Sequence, residues 1–498
     1  MISTPSINDD GDNASNTSTD NRQVFWIIGD SISFGTNNNT GPGPTTPAGT
    51  FWEWNGTSLV ELTTNDLAGV QNGSPWKQFG LTYTQTRGYK VAVVNSGSPG
   101  ANFYETDGNT WMSTDLKYSQ GKTKLQGALN AVGVTKPRAI LIILGVNDTT
   151  TTFDLPTLVQ PQVQDLINRL TADYPDVPLL WAQIGRNAAS DNSARLVTVR
   201  QYLKTAMRNN NNCHFAADLS HAGGAGYLGV DNLHPTQTGN NEIGKQFARW
   251  FDLYQYDNKW VRSIISCHYT ELTTAQKELI KSFIDTLGEN YFNLEYFFRG
   301  KITAEVDTYF DYTFNHSAKK FSTTFASNDS VSTNGTSSYW MINFNPTTAQ
   351  VVMSQNDLFD GIKIKQNRSV AGGTTRVGLS RQGTPQIIIG QLNTSLVYWR
   401  VNDATTNTIV GQTKLQDNSF YSIRRVNSAN KEIYQNGVLI GTAVVSSNGL
   451  PTTVTYIGSS NGSANFLDFS FEYIVSGKAS LFNQLNLYNT LEALNNNW

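Results

Sequence analysis

Between residue 24 and about residue 254, short apolar runs alternate with amphipathic stretches, and this alternation restricts the fold more than any other feature of the chain. The strand candidates are residues 24–28, 91–94, 139–144, 179–184 and 214–219. Helical stretches lie between them, near 76–87, 122–132, 158–174 and 194–208, and a last one follows His234 through Ile243, Phe247 and Trp250. Strands separated by crossover helices pair in parallel, and the helices cover both faces of the sheet. A doubly wound α/β domain is therefore expected over residues 23–254. Its first strand, Val24-Phe25-Trp26-Ile27-Ile28, is apolar at every position, as burial on both faces requires. It ends at Gly29-Asp30-Ser31. Open α/β sheets hold ligands at the carboxyl ends of their strands, so the Ser31 hydroxyl is delivered to a functional edge.

The remaining chain divides by texture. At 498 residues the sequence exceeds one ordinary core, so further modules are expected. Residues 1–22 are polar, without the basic start and apolar stretch of a secretory signal, and read as a disordered leader or as a tether that orders against a larger assembly. Residues 255–300 read as a helical connector. Thr273 and Gln276 make a capping box there, and Leu279, Ile280, Phe283, Ile284 and Leu287 form one apolar stripe expected to dock modules together. From residue 301 to 498, short alternating runs are separated by Asn, Gly, Ser and Thr, with a tight-hairpin signal at Asn436-Gly437; this is the pattern of an antiparallel β-sandwich.

Charge and cysteine content remove several function classes. A net charge of −3 gives no electrostatic case for nucleic acid or an anionic membrane as partner. Cys213 and Cys267 are far apart and in no metal-like spacing, so neither a disulfide framework nor a metal site is expected. No apolar run is long enough to span a bilayer.

An insertion follows the first strand. Phe51-Trp52-Glu53-Trp54, Asn55-Gly56 and Ser58-Leu59-Val60-Glu61-Leu62 read as a hairpin growing from the ligand-binding end of the sheet. Its Phe51, Trp52 and Trp54, with Phe103, Tyr104, Trp111 and Tyr118 after the second strand, are candidates for an aromatic wall that receives sugar rings, or else pack the insertion onto the domain. Trp52, Trp54, Tyr104, Trp111 and Arg186 are the candidate substrate contacts.

Three further turns fall at the same end of the expected sheet: Asn95-Ser96-Gly97-Ser98-Pro99-Gly100, Gly145-Val146-Asn147-Asp148, and Asp231-Asn232-Leu233-His234-Pro235. Together with Ser31 they hold the parts of one hydrolytic site. Ser31 needs a base, and His234 can serve. Asp231, three residues earlier, can bind the other ring nitrogen and stabilise the imidazolium. Charge on the oxygen of a tetrahedral intermediate needs donors, which the N–H groups of Ser31 and Gly100 and the amide of Asn147 can supply. A glycosidase built on Asp30, Asp148 or Asp231 stays open on residues alone, because it needs only two carboxyls roughly 5–9.5 Å apart.

Gly29-Asp30-Ser31, Gly100, Gly145-Val146-Asn147-Asp148 and Asp231-x-x-His234 resemble, in order, the four blocks of the SGNH (GDSL-type) hydrolase superfamily. The resemblance implies a flavodoxin-like, three-layer α/β/α domain and a serine esterase that uses no metal or cofactor. Trp181-Ala182-Gln183-Ile184-Gly185-Arg186, Val199-Arg200-Gln201 and Asp231-Asn232-Leu233-His234-Pro235 are most similar to the carbohydrate O-acetylesterases of that superfamily, including sialate and xylan types. The first strand lacks the Gly-x-Ser-x-Gly elbow of α/β-hydrolases, which disfavours a lipase of that class.

The C-terminal segments Phe420-Tyr421-Ser422-Ile423, the run from Ile433 to Thr442 and Tyr456-Ile457-Gly458 resemble laminin-G or concanavalin-A-like sandwiches of jelly-roll type, which implies glycan binding, sometimes with calcium. The Asn/Thr/Gly-rich texture and polar leader resemble phage tail-fibre or receptor-binding proteins. The expected partners are then an acetylated carbohydrate, other tail proteins through the leader, and identical chains in a homo-oligomer. The expected location is the virion, acting outside the cell. A non-catalytic glycan-binding virion protein and an acetylesterase that is cytoplasmic, or secreted without a signal peptide, are the alternatives.

Overall fold

The computed structural model describes residues 21–35, 43–63, 73–104, 108–185, 194–220, 227–229, 231 and 233–303, then 307–308, 310–316, 318–321, 324–326, 329–332, 339–343, 358–367, 376–381, 386–391, 397–402, 406–410, 415–425, 430–444, 454–457 and 469–498. The leader, up to residue 20, and Arg186 lie outside the described residues. The chain divides into two compact units, one of residues 1–191 and 198–269 and one of 192–197 and 270–498.

In the first unit, β1 (Arg22–Gly29), β2 (Phe51–Trp54), β3 (Leu59–Glu61), β4 (Lys90–Asn95), β5 (Ala139–Ile143), β6 (Leu179–Gln183) and β7 (Cys213–Asp218) form one sheet. Its order is β3-β2-β4-β1-β5-β6-β7. Every neighbouring pair is parallel except β2 with β3. The chain leaves β1, returns on one side as β4 and later on the other as β5. Such a reversal opens a crevice beside the carboxyl ends of the central strands. Ser31 lies there.

Helices cover both faces, and two adjacent residues of β1 show how. Neighbours in a strand point to opposite faces. Phe25 meets Phe79 and Tyr83 of α2 (Trp76–Arg87), and Phe251 just after α6 (Gln237–Trp250), at centroid distances of 4.9, 5.1 and 5.7 Å. Trp26 meets Tyr118 of α3 (Leu116–Val132) and Tyr174 just after α4 (Gln160–Asp173), at 5.9 and 6.2 Å. Both rings are fully buried, and burial of such a side chain stabilises by about 2–3 kcal/mol. The Trp26 indole N–H donates to Ser96 Oγ at 3.1 Å, so the large ring leaves no unsatisfied donor.

The insertion forms its hairpin, but as the edge of the sheet rather than a projection over the crevice. β2 pairs in parallel with β4, from Phe51 beside Val91 to Glu53 beside Val93. This register places Trp52 among the strands' amino ends, where Arg22 and Lys90 stand over its ring at 5.1 and 5.9 Å. Seven residue steps along β1, roughly 23 Å, separate Arg22 from Gly29.

The second unit is antiparallel throughout its described ladders. In its eight-stranded sheet, Leu358–Asn367 lies between Phe469–Gly477 and Ser419–Arg425, and a seven-stranded sheet runs from Thr406–Val410 to Ala318–Phe321. Leu379 and Ile389 of the second sheet share an apolar cluster with Ile362, Tyr421, Ile433 and Phe471 of the first. The hairpin at Asn436 and Gly437 has φ of +50° and +78°, the positive pair that a tight two-residue turn needs. The stretch expected as a connector is divided: α7 (Lys259–Cys267) lies in the first unit and α8 (Thr274–Leu287) in the second. The capping box of α8 forms, and its apolar stripe packs within its own unit, Phe283 lying 5.2 Å from Phe297.

Gly29 closes β1 at φ +148°, and a Cβ built there would lie 1.9 Å from the Ile143 carbonyl oxygen. Backbone, not a movable side chain, occupies that space. Gly29→Ala is expected to destabilise the first unit by at least about 3 kcal/mol, measured as a fall in its thermal transition. An unchanged midpoint would show that β1 and β5 tolerate separation.

Candidate active site

The turn after β1 builds the first part of the site. Asp30 caps the four-residue helix α1 (Ser31–Phe34), accepting the Ile32 N–H at 3.0 Å, and Gly35 closes it in the left-handed region at φ +104°. Ser31 is the first residue of α1, so its N–H has no acceptor within the helix. Its side chain is nearly buried, at 8% exposure. The Gly29 carbonyl below it accepts the Ser98 N–H at 3.1 Å and the Trp111 indole N–H at 3.2 Å, fixing the strand end from the neighbouring loop.

From the far end of the domain comes His234, 203 residues later. Its turn is held by the Gly229 N–H on the His234 carbonyl at 2.8 Å and the Thr236 N–H on the Tyr227 carbonyl at 2.7 Å; Thr236 then caps α6. His234 Nε2 lies 2.8 Å from Ser31 Oγ, and His234 Nδ1 lies 2.7 Å from Asp231 Oδ2. Asp231 Oδ1 accepts the N–H groups of Leu233 and His234 at 2.9 and 3.0 Å. Burial tends to raise the Asp231 carboxyl. The hydrogen bonds from the His234 ring and these two amides outweigh it and hold the group below the usual carboxylate range. A carboxylate only accepts, so Nδ1 carries the ring proton and Nε2 is left to accept from Ser31.

Two loops supply the remaining donors. Gly100 lies at φ +76° in the loop after β4, and its N–H has no partner among the described residues. Asn147 Nδ2 uses one of its two hydrogens on the Ala101 carbonyl at 2.8 Å, which ties it beside Gly100. Asp148 accepts the Phe103 N–H on both oxygens at 3.2 and 3.1 Å, so the two loops are joined twice. The unclaimed donors of Ser31, Gly100 and Asn147 are the set that an anionic oxygen requires.

The aromatic candidates mostly serve elsewhere. Trp52 stands at the opposite end of the sheet, as its register requires. Trp54 packs on Gly127 of α3, where a Cβ would meet its ring at 2.6 Å. Phe51 packs on Gly80 of α2 in the same way, at 2.2 Å. Trp111 is buried with its indole on the Gly29 carbonyl, Phe103 stacks on Trp181 at 6.1 Å, and the Tyr118 hydroxyl donates to Asp173 at 2.7 Å. Tyr104 remains half-buried on the loop after β4. Phe153, which no sequence pattern singled out, faces it edge-on at 5.2 Å.

Asp30 and Asp148 are fully buried behind the site, and burial pushes each carboxyl up to about 7. Hidden from solvent, they offer no carboxyl pair flanking a sugar bond. Among the described residues, no group of three or more His, Cys, Asp or Glu could hold a metal ion.

Residues 26–247 match the family model of the GDSL-like lipase/acylhydrolases. The match spans β1 through most of α6, so all four blocks of this GDSL-like domain lie within it. The comparison with curated proteins gives no match. Among solved structures, a protein of Arabidopsis thaliana is similar at 17% identity over 47% of this chain and 98% of its own, with a TM-score of 0.37. The receptor-binding domain of botulinum neurotoxin D is similar at 11% identity over 40% of this chain and 53% of its own, with a TM-score of 0.32. The CBM40 of the Ruminococcus gnavus IT-sialidase, in a structure with α2,3-sialyllactose, gives 13% identity over 26% of this chain and 80% of its own, with a TM-score of 0.22.

A carboxyl ordinarily titrates near 4, so folding raises the proton affinity of Asp30 and Asp148. Their contribution to stability is fully present below about pH 4 and is lost as pH rises through about 7, where the charge must be buried. Asp30→Asn keeps an oxygen for the Ile32 amide and removes one titration. The difference in thermal midpoint, variant minus wild type, should grow more positive by about 3 °C between pH 5 and pH 8.5. A pH-independent difference would count against Asp30 as a titrating group.

Proposed function

We propose that the GDSL-like domain is a serine esterase that removes O-acetyl groups from a surface or extracellular polysaccharide. The observation that carries this reading is the unbroken relay from Ser31 Oγ to His234 Nε2 at 2.8 Å and from His234 Nδ1 to Asp231 at 2.7 Å. Ser31 Oγ attacks the acetyl carbonyl while His234 Nε2 takes its proton, and Asp231 stabilises the imidazolium. The oxyanion is met by the N–H groups of Ser31 and Gly100 and the Asn147 amide. Collapse returns the proton to the departing sugar oxygen, and water, activated by the same imidazole, releases acetate from Ser31. The lone pair on His234 Nε2 is what takes the Ser31 proton, while Nδ1–H stays on Asp231.

Acetyl specificity is supported by the likeness of residues 181–186 and 199–201 to carbohydrate O-acetylesterases. Tyr104, on the loop after β4, and Phe153, which faces it edge-on, are half-buried rings that could meet a sugar. The antiparallel second unit, with its laminin-G-like strands, would hold glycan while the first works on it. An Asn/Thr/Gly-rich chain pairing these modules suits a phage tail or receptor-binding protein. Mass spectrometry of purified virions checks that placement, and absence of the chain from them would overturn it.

Ser31→Ala should lower acetate release from O-acetylated oligosaccharide at least about ten-thousand-fold, and Asp231→Asn by a similar factor. The thermal midpoint should be nearly unchanged. Turnover retained in Ser31→Ala would remove the relay from the chemistry. Shortened chains in place of deacetylated ones would point to glycosidic cleavage.

A further inference from the structure

The loop that presents Gly100 is held by a side chain outside the four blocks. Asn109 spans its turn, with Oδ1 accepting from Ser98 Oγ at 3.2 Å and Nδ2 donating to the Pro99 carbonyl at 3.0 Å. Lys117, in the first turn of α3, donates Nζ to the same Ser98 hydroxyl at 3.1 Å. An ammonium can only donate, so the hydroxyl accepts from Lys117 and gives its own proton to Asn109. This fixes which end of the amide faces which partner, and Nδ2 must point at Pro99. The support is anchored in turn. Asp115, the cap of α3, accepts the N–H groups of Thr110 and Lys117, both at 2.9 Å, and Thr110 follows Asn109.

The Pro99 carbonyl and the Gly100 N–H are the two ends of one peptide plane. In a trans peptide they point in opposite directions. Pinning the oxygen therefore aims the N–H, and a donor on the oxygen also polarises the N–H as a donor. Asn109 lies against Gly100 as well: a Cβ there would be 3.1 Å from Nδ2.

We propose that Asn109 is a positioning residue that aims the Gly100 N–H at the oxyanion, with Lys117 fixing its orientation through Ser98. This rests on the serine-esterase reading. Asn109 acts through the Pro99–Gly100 peptide, so its loss should be felt in the transition state and little in binding.

The test uses the full chain with p-nitrophenyl acetate, reading kcat and KM separately, together with the affinity of an alkylboronic acid that mimics the tetrahedral state at Ser31. Asn109→Asp keeps the shape and puts an acceptor against the Pro99 carbonyl. It should lower kcat about ten- to a hundred-fold, change KM less than about two-fold, and weaken the boronate by a factor similar to that in kcat. Lys117→Met, on the outside of the loop, should give a smaller loss of the same kind. An active wild type whose Asn109→Asp and Lys117→Met variants keep kcat overturns the inference alone. A kcat loss with unchanged boronate affinity also overturns it, as does an equal rise in KM. A wild type that hydrolyses no ester overturns the esterase reading and this inference with it.

Discussion

The site depends on the closeness of two backbones where β1 ends beside β5. Gly29 has no side chain, so the chain can turn against the Ile143 carbonyl, and that oxygen accepts the Asp30 N–H at 2.9 Å. Everything at Ser31 follows from this contact. It places Asp30 to cap α1, sets Ser31 at the helix start, and presents the Gly29 carbonyl to Ser98 and Trp111. Through those two donors the Gly100 loop is referenced to the strand that ends at Ser31.

The fold of the first unit was legible because its central strands carry continuous apolar runs, such as residues 24–28 and 139–143, between polar turns. Residues as far apart as Ser31 and His234 could be assigned to one edge because parallel strands put all their carboxyl ends on the same side. The aromatic residues were less legible. Packing of Trp54, Trp111 and Phe51 against Gly127, the β1 end and Gly80 depends on register and on which helix lies opposite, which a run of letters does not encode. Trp52 was misplaced for a single reason: an edge strand's register decided which end of the sheet it occupies. Asn109 was invisible because its role is a pair of bonds to a turn ten residues away. For α8 the helix and its cap were readable from Thr273 and Gln276, while the surface its stripe meets was not.

Buried polar groups accompany the chemistry. Asp30 accepts the Ile32 amide on Oδ1, and Asp148 uses both oxygens on the Phe103 amide. Each fixes backbone of the candidate site, Asp30 at the start of α1 and Asp148 in the loop after β4. The cost of hiding two carboxyls supports rigidity in the segments that hold the donors.

The double tie between the loops after β4 and β5 has a dynamic consequence. With the Ala101 carbonyl and the Phe103 amide both bound to residues 147 and 148, neither loop can swing out alone without leaving a polar group stranded. The two therefore form one cooperative lip. Any breathing that opens one loop therefore carries the other with it, and Gly100 and Asn147 keep their places relative to each other as the lip moves.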